Sequence, residues 1–435
     1  MTPTAAFPRI MPIAPASLEA AGIGLDVVIQ CVTKTLYFVG ELSGTEIASR
    51  LGVRFPVIES GLELMKRERQ CEIVAGAVLG PAAYRYRLTD AGRARAAIFL
   101  EQNQYLGQLP VPLEQYRAYV AAFVKNAPVA VSRVAVRQAF KHLVLSDRVL
   151  DHLGPAIAAR HSLFIYGAPG NGKTVISQSI RNLLVGDIAI PHALSIEGNI
   201  VHMFDPGTHN AIEEEVSDGL QRVDEPDRRW VLCKRPLVTV GGELDLDDLE
   251  IGYSHTSRCY RAPLQLLANG GVFVIDDFGR QHASPRDLLN RWITPLESRA
   301  DSLALQTGQK FEVPFEVFIV FATNLKPADL VDEAFLRRIQ FKVFAQSPTP
   351  EEFIKIFENC CDERNLPFDR TLATALLDEG LRPRNAPLRA CQPRDLIDRA
   401  LSLAAYLDRP RELTSELLAS ACQSYFVEDE QVSAA

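Results

Sequence analysis

The residues Gly167-Ala168-Pro169-Gly170-Asn171-Gly172-Lys173-Thr174 fill every fixed position of the pattern G-x-x-x-x-G-K-[ST]. An apolar run, Leu163-Phe164-Ile165-Tyr166, leads in as a buried parallel strand does, and a helix-compatible stretch, Val175 to Leu184, leads out. In a strand–loop–helix setting the glycines let backbone N–H groups close on phosphate oxygens, and the start of the helix adds positive dipole. Lys173 is then expected to reach the β- and γ-phosphates, and the Thr174 hydroxyl to ligate Mg²⁺. The fold class that follows is α/β, a parallel sheet carrying a phosphate-cradling loop.

Further along, Val272-Phe273-Val274-Ile275 is apolar on both faces, as a central parallel strand is, and it ends in Asp276-Asp277. Asp276 at the strand tip is placed to hold Mg²⁺ through its water shell, and Asp277 beside it to polarise an attacking water. The next apolar strand, Phe315 to Ala322, ends in Thr323-Asn324, a polar amide one strand beyond the acids. Asp332 to Ile339 reads as a helix end carrying Arg337 and Arg338. The helix dipole alone favours cations there, so this pair says little in isolation. Gln392-Pro393-Arg394-Asp395-Leu396 puts Arg394 on the first turn of a later helix, from which it could reach back to a nucleotide.

Composition narrows the alternatives. A chain of 435 residues, 47% apolar, holds roughly two to four domains with real cores. No apolar run approaches the about 18 residues that span a bilayer. The stretch Met1 to Ser17 is Pro/Ala-rich with one Arg and no long apolar run, so it is not expected to be a secretory signal. The eight cysteines form no C-x-x-C pair, so reduced thiols in a cytoplasmic protein are expected. A net charge of −8 disfavours indiscriminate nucleic-acid binding. Much of that charge lies between Asp205 and Glu250, which holds thirteen acids against five bases.

Residues 1–20 are proline-rich and expected to lack structure. From 21 to 105 the pattern runs helix, helix, helix, hairpin, helix, which resembles a winged helix-turn-helix domain leaving its wing through Tyr86-Arg87-Leu88-Thr89-Asp90-Ala91-Gly92-Arg93. Its would-be recognition helix begins Pro56 to Glu63, with two acids and no base. The whole stretch Asp26 to Glu101 carries ten Lys/Arg against nine Asp/Glu, which favours protein docking over DNA. Tyr37-Phe38-Val39-Gly40 is expected to be core. Residues 106–127 read as a connector helix, 128–345 as the ATP-binding core, 346–426 as a helical lid and 427–435 as a polar tail.

Phosphate loop, acid pair, strand-tip Asn, helix-end Arg pair and lid Arg, in this order, resemble the AAA+ ATPase superfamily over about Pro128 to Tyr425. The resemblance implies Walker A at Gly167–Thr174, Walker B ending at Asp276 and Asp277, sensor 1 at Asn324 and sensor 2 at Arg394. It also implies an arginine finger at Arg338 or Arg337, with Arg338 preferred because it precedes the apolar Ile339. The stretch His142 to Asp147, with Val144, lies where such proteins place apolar contacts to adenine. ATP and Mg²⁺ are the implied ligands.

Two departures stand out. Asp277 stands where most members have Glu, one methylene longer, so turnover is expected to be slow. About a hundred residues separate Lys173 from Asp276, roughly twice what one helix, one strand and a further helix need. The surplus is expected as an insertion over 205–253, with a hairpin at Pro236 to Gly242. A second hairpin, Leu303 to Val313, is expected before the sensor-1 strand. Such hairpins resemble those of helicase-like, chaperone-like and MoxR-like clades. The expected function is a ring-forming ATPase, hexameric by resemblance, that remodels a protein client. The alternative is a DNA-acting initiator, loader or transcription regulator.

Overall fold

The computed structural model describes residues 11–75, 80–126, 131–159, 162–213, 225–330, 337 and 339–426. The chain forms two compact units. One gathers the chain up to Val129 with Leu184–Phe273 and His282–Phe318; the other gathers Ala130–Leu183, Val274–Gln281 and everything from Ile319.

The first unit opens with helices Leu25–Val39, Gly44–Arg50 and Phe55–Arg67, strands Cys71–Ala75 and Arg85–Leu88, and helix Asp90–Gln102. A short strand, Glu41–Ser43, completes a three-stranded sheet with Arg85–Leu88 in the middle. Local chemistry fixes the helix starts. Ser43 Oγ accepts from the Glu46 N–H while the Glu46 carboxylate accepts from the Ser43 N–H, a reciprocal cap. Thr89 Oγ1 accepts from the Gly92 N–H at the start of the last helix. Val28, Val32, Leu36, Ile47, Val57 and Leu62 close one core beneath these helices.

Two expectations fail here. Met11 to Ala20 is not without structure. Ala14 N–H donates to Glu225 O at 2.8 Å and Asp227 N–H to Pro12 O at 2.8 Å, and Leu18–Ala21 is a helical turn capped by Ser17. Tyr37, Phe38 and Val39 are not core but exposed, at 41%, 59% and 43%. They end a helix whose inward face is already supplied by Val28, Val32 and Leu36.

The remainder of this unit is built around helix Leu113–Asn126. Expected as a connector, it instead buries Tyr116, Tyr119, Val120 and Phe123 in a core shared with Trp230, Leu194 and Val313. A mixed sheet runs in the order Gly252–Ser254, Cys259–Arg261, Asn199–His202, Ala193–Ile196, Val111–Pro112. The hairpin expected at Leu303 to Val313 forms, pairing Ala300–Ala304 with Lys310–Pro314. The one expected at Pro236 to Gly242 does not: Leu237–Val240 is a single strand running beside Val272–Ile275. The acids of 225–250 are partly spent on internal pairs. Asp227 holds Arg229 at 2.8 Å with both side chains 2% exposed, and Glu250 holds Arg291 at 2.8 Å.

The second unit holds the phosphate loop. Its sheet runs Val272–Ile275, Phe318–Thr323, Leu163–Tyr166, Phe341–Phe344, and both neighbours of Leu163–Tyr166 are parallel to it. Phe164, Ile165, Val274, Ile275, Val320 and Phe321 are wholly buried, which explains why these strands read as continuous apolar runs rather than alternating ones. Beyond Pro350 come helices Pro350–Glu363, Arg370–Ala375, Gln392–Tyr406 and Ser415–Tyr425, packed around Phe353, Phe357, Leu396 and Leu418. The fold is a parallel-sheet α/β phosphate-loop core followed by a helical bundle.

Candidate functional site

The phosphate loop leaves its strand at Gly167, whose N–H donates to Thr323 O on the neighbouring strand at 3.3 Å. Gly170 and Gly172 have φ of +78° and +73°, left-handed values that glycine adopts without strain. Gly170 has no alternative: a Cβ there would stand 2.6 Å from Cys391 Sγ. Asn171 ties the loop apex to the next segment, its Nδ2 donating to Ala345 O at 3.2 Å and Ser347 Oγ at 3.4 Å.

The helix Lys173–Ser179 begins at the loop's end and turns Lys173 inward, 6% exposed. Its ammonium donates to Gly167 O at 3.1 Å, Ala168 O at 3.0 Å and Asn324 Oδ1 at 2.6 Å. All three acceptors are uncharged. Burial holds this ammonium below the ordinary lysine range; Asp277 and Asp276 work against that, and Arg389 adds to it. Next to it, Thr174 Oγ1 donates to Asp276 Oδ2 at 2.6 Å. Asn324 uses its other end on Asp277, Nδ2 to Oδ1 at 2.7 Å. Lys173, Thr174, Asp276, Asp277 and Asn324, which lie far apart in sequence, thus form one connected set at the ends of three adjacent strands.

The remaining expected residues lie elsewhere. Val144 sits half-buried in the loop between helices Arg133–Ala139 and Asp147–Ala158. That loop is fastened to the helix leaving the phosphate loop by His142 Nε2 and Ser179 Oγ, 3.0 Å apart. Arg394 turns to its own neighbour, Nη2 to Asp395 Oδ1 at 2.9 Å. Arg337 is exposed. Arg338 and most of the helix end expected around it lie outside the described residues.

Sequence reasoning missed two residues at this site. Arg389 has its Cβ 3.5 Å from where a Gly170 Cβ would be, and its Nη1 donates to Ser347 Oγ at 2.8 Å. It therefore roots against the loop apex, where Arg394 had been expected to point. Gln281 Nε2 donates to Asp276 O at 2.9 Å and Asp277 O at 3.3 Å, while its Oε1 accepts from Gly279 N–H at 2.8 Å. A glutamine after a turn carries no pattern by which to find it.

The set fits a metal-bound triphosphate by its chemistry: an ammonium set among neutral acceptors, a hydroxyl beside a carboxylate, and glycine backbone with left-handed freedom. Thr174 and Asp276 are the pair that would hold a divalent cation. Among the described residues no cluster of three or more His, Cys, Asp or Glu side chains forms a separate metal site. No helix among them is long and apolar enough to cross a membrane.

Residues 349–424 match the family described as "Domain of unknown function (DUF8689)", a small part of the chain. No curated protein matches. Among solved structures, the chain is similar to the Thermotoga maritima RuvB Holliday junction branch migration motor at 15% identity and a TM-score of 0.38, over 66% of this chain and 71% of that one. It is also similar to NtrX from Brucella abortus in complex with ADP, at 15% identity and a TM-score of 0.39, over 67% of this chain and 58% of that one.

Proposed function

We propose that this chain is an AAA+ ATPase that hydrolyses ATP to ADP and phosphate. The observation carrying the proposal is the bonded set Thr174–Asp276 and Lys173–Asn324–Asp277, which gathers an ammonium, a hydroxyl, two carboxylates and an amide. Lys173 binds the β/γ-phosphate charge. Thr174 and Asp276 hold Mg²⁺, which when bound draws phosphate charge and orients its oxygens. Asp277 polarises the attacking water, and Asn324, bonded to both Lys173 and Asp277, orients it. Arg389, rooted against the loop, takes the phosphate-sensing part expected of Arg394. The loop at Val144 borders the base.

Within this reading the protein works as a ring, Arg338 or Arg337 serving a neighbouring subunit's γ-phosphate, and it remodels a protein client. The N-terminal domain, read as a winged helix, docks that client rather than duplex DNA. Support comes from its sheet, where Arg85 is held by Glu41 at 2.6 Å and Arg87 by Glu72 at 2.6 Å, so the wing's arginines carry their own countercharges. DNA affinity depends on bases free to displace counterions.

Steady-state phosphate release tests the reading, comparing wild type with Lys173→Ala and Asp277→Ala. Loss in both, with ATP still bound by Asp277→Ala, is expected; equal rates in all three would end it. Mixing Arg338→Ala with Asp277→Ala subunits should restore part of the activity if the arginine acts in trans.

A further inference from the structure

We propose that Gln281 is a positioning residue for Asp277, and that it lets an aspartate work where a longer glutamate is usual. The inference rests on the hydrolytic reading above and deepens it. Asp277 has a φ of +48°, in the left-handed region, which costs an L-residue free energy and persists where its surroundings fix it. Its own N–H donates to the Asp276 carboxylate at 3.0 Å. Downstream, Phe278 is pinned twice, its N–H on Ala322 O at 2.7 Å and its carbonyl under Thr323 Oγ1 at 2.7 Å. The N–H of each peptide flanking Asp277 is thus engaged, and the Asp277 carbonyl also accepts from the Arg280 N–H at 3.1 Å.

Gln281 adds the side-chain part of the hold, above all on the Asp276 carbonyl. Its amide N–H₂ takes the carbonyls of both Asp276 and Asp277, and its amide oxygen takes the Gly279 N–H. One side chain thereby fixes three backbone groups of the turn. The left-handed turn sets the direction of the Asp277 Cβ, and with it the 2.7 Å bond to Asn324. A carboxylate one methylene short reaches the amide because the backbone beneath it is turned. The turn lies at the rim of the site, where Asp277 itself is exposed. Loss of the Gln281 bonds at this rim is expected to redirect the turn more than to loosen the fold.

The test uses Gln281→Met, which keeps length without hydrogen bonds, and Gln281→Glu. For Gln281→Met the expected result is a kcat about tenfold lower, the scale of small misplacements. KM, ATP affinity and melting temperature should stay near wild type. An unchanged kcat overturns the proposal, as does a joint fall of kcat, affinity and melting temperature, which marks a folding role. Gln281→Glu keeps the acceptor for Gly279 but turns a carboxylate on two carbonyls, so its kcat should fall at least as far as that of Gln281→Met; a wild-type kcat in Gln281→Glu overturns the proposal. A crystal structure of Gln281→Met gives a readout independent of turnover: Asp277 leaving the left-handed region or releasing Asn324 supports the proposal, and unchanged geometry refutes it. Wild type that binds ATP but never releases phosphate would sink the hydrolytic reading instead, leaving the crystal structure to decide the role of Gln281.

Discussion

Each unit of this protein buries a lysine, and in both the ammonium rests on an asparagine. Lys34, wholly buried in the first unit, donates to Asn103 Oδ1 at 2.6 Å; Lys173 in the second donates to Asn324 Oδ1 at the same distance. Burial holds both below the ordinary lysine range. What stands behind the amide separates them. Asn103 Nδ2 continues to a neutral group, Gln30 Oε1, at 3.2 Å, and the titratable groups facing Lys34 are the thiols of Cys31 and Cys259. Asn324 Nδ2 continues to a carboxylate, and the carbonyls under Lys173 belong to a glycine loop. A buried cation is thus not in itself a site. It becomes one where acids and open backbone stand around it.

The largest effect that would break this contrast is on turnover. Lys173→Met should lower the phosphate-release rate by about a hundredfold or more, the scale of losing one charged donor in a preorganised site. Lys34→Met should leave that rate within about twofold of wild type. A comparable loss in both would make the two lysines one class.

Removing the amides should sharpen it. Asn103→Ala strips Lys34 of its short bond and leaves the 3.4 Å contact to Asn103 O, a loss of about 1–3 kcal/mol measurable by urea unfolding with little change in ATP affinity. Asn324→Ala should do the reverse, costing about tenfold in kcat while the unfolding midpoint barely moves.

Acid reaches the first unit through its buried histidines. Burial takes His192 down to about 4 and lowers His202 and His209. The unfolded chain binds protons that the native one refuses, so stability should fall as pH drops from about 6.5 towards 4, by up to about 1.4 kcal/mol per pH unit for each histidine. Unfolding midpoints at a series of pH values measure it, and His192→Phe should flatten the slope.

The smallest effect is alkaline. Two lysines with depressed values cost stability while protonated, and that cost vanishes as pH rises through the depressed values towards that of an unfolded lysine. Both Met variants should therefore melt slightly above wild type at neutral pH, and the gap should close at high pH.

Much of the second unit was legible because its signals are local. Glycines at fixed spacing, apolar runs with acids at their ends and an amide one strand on are written within a few residues of one another. What the sequence hid depends on partners distant in the chain. Met11 to Ala20 is ordered by backbone bonds to Glu225 and Asp227, which composition does not record. Leu237–Val240 has strand periodicity whichever neighbour it takes, so a hairpin arm and a strand beside Val272–Ile275 look alike. Tyr37 and Phe38 lie past the last buried turn of their helix, and hydrophobicity alone does not tell an inward face from an outward one. Arg394 was the arginine with a helix-start pattern, whereas Arg389, in an irregular stretch, roots against the loop. The helix end of Arg337 and Arg338 remains an expectation carried by its pattern.

The contact of Gly170 with Cys391 has a mechanical meaning. Cys391 N–H donates to Gly170 O at 2.8 Å, and its sulfur fills the space a side chain would take. The long helix from Gln392 therefore starts one residue from the crest of the loop, with no compliant side chain to absorb play. A tilt of that helix pulls directly on the crest, and a load on the crest tilts the helix, so bundle and loop behave as a lever and its pivot.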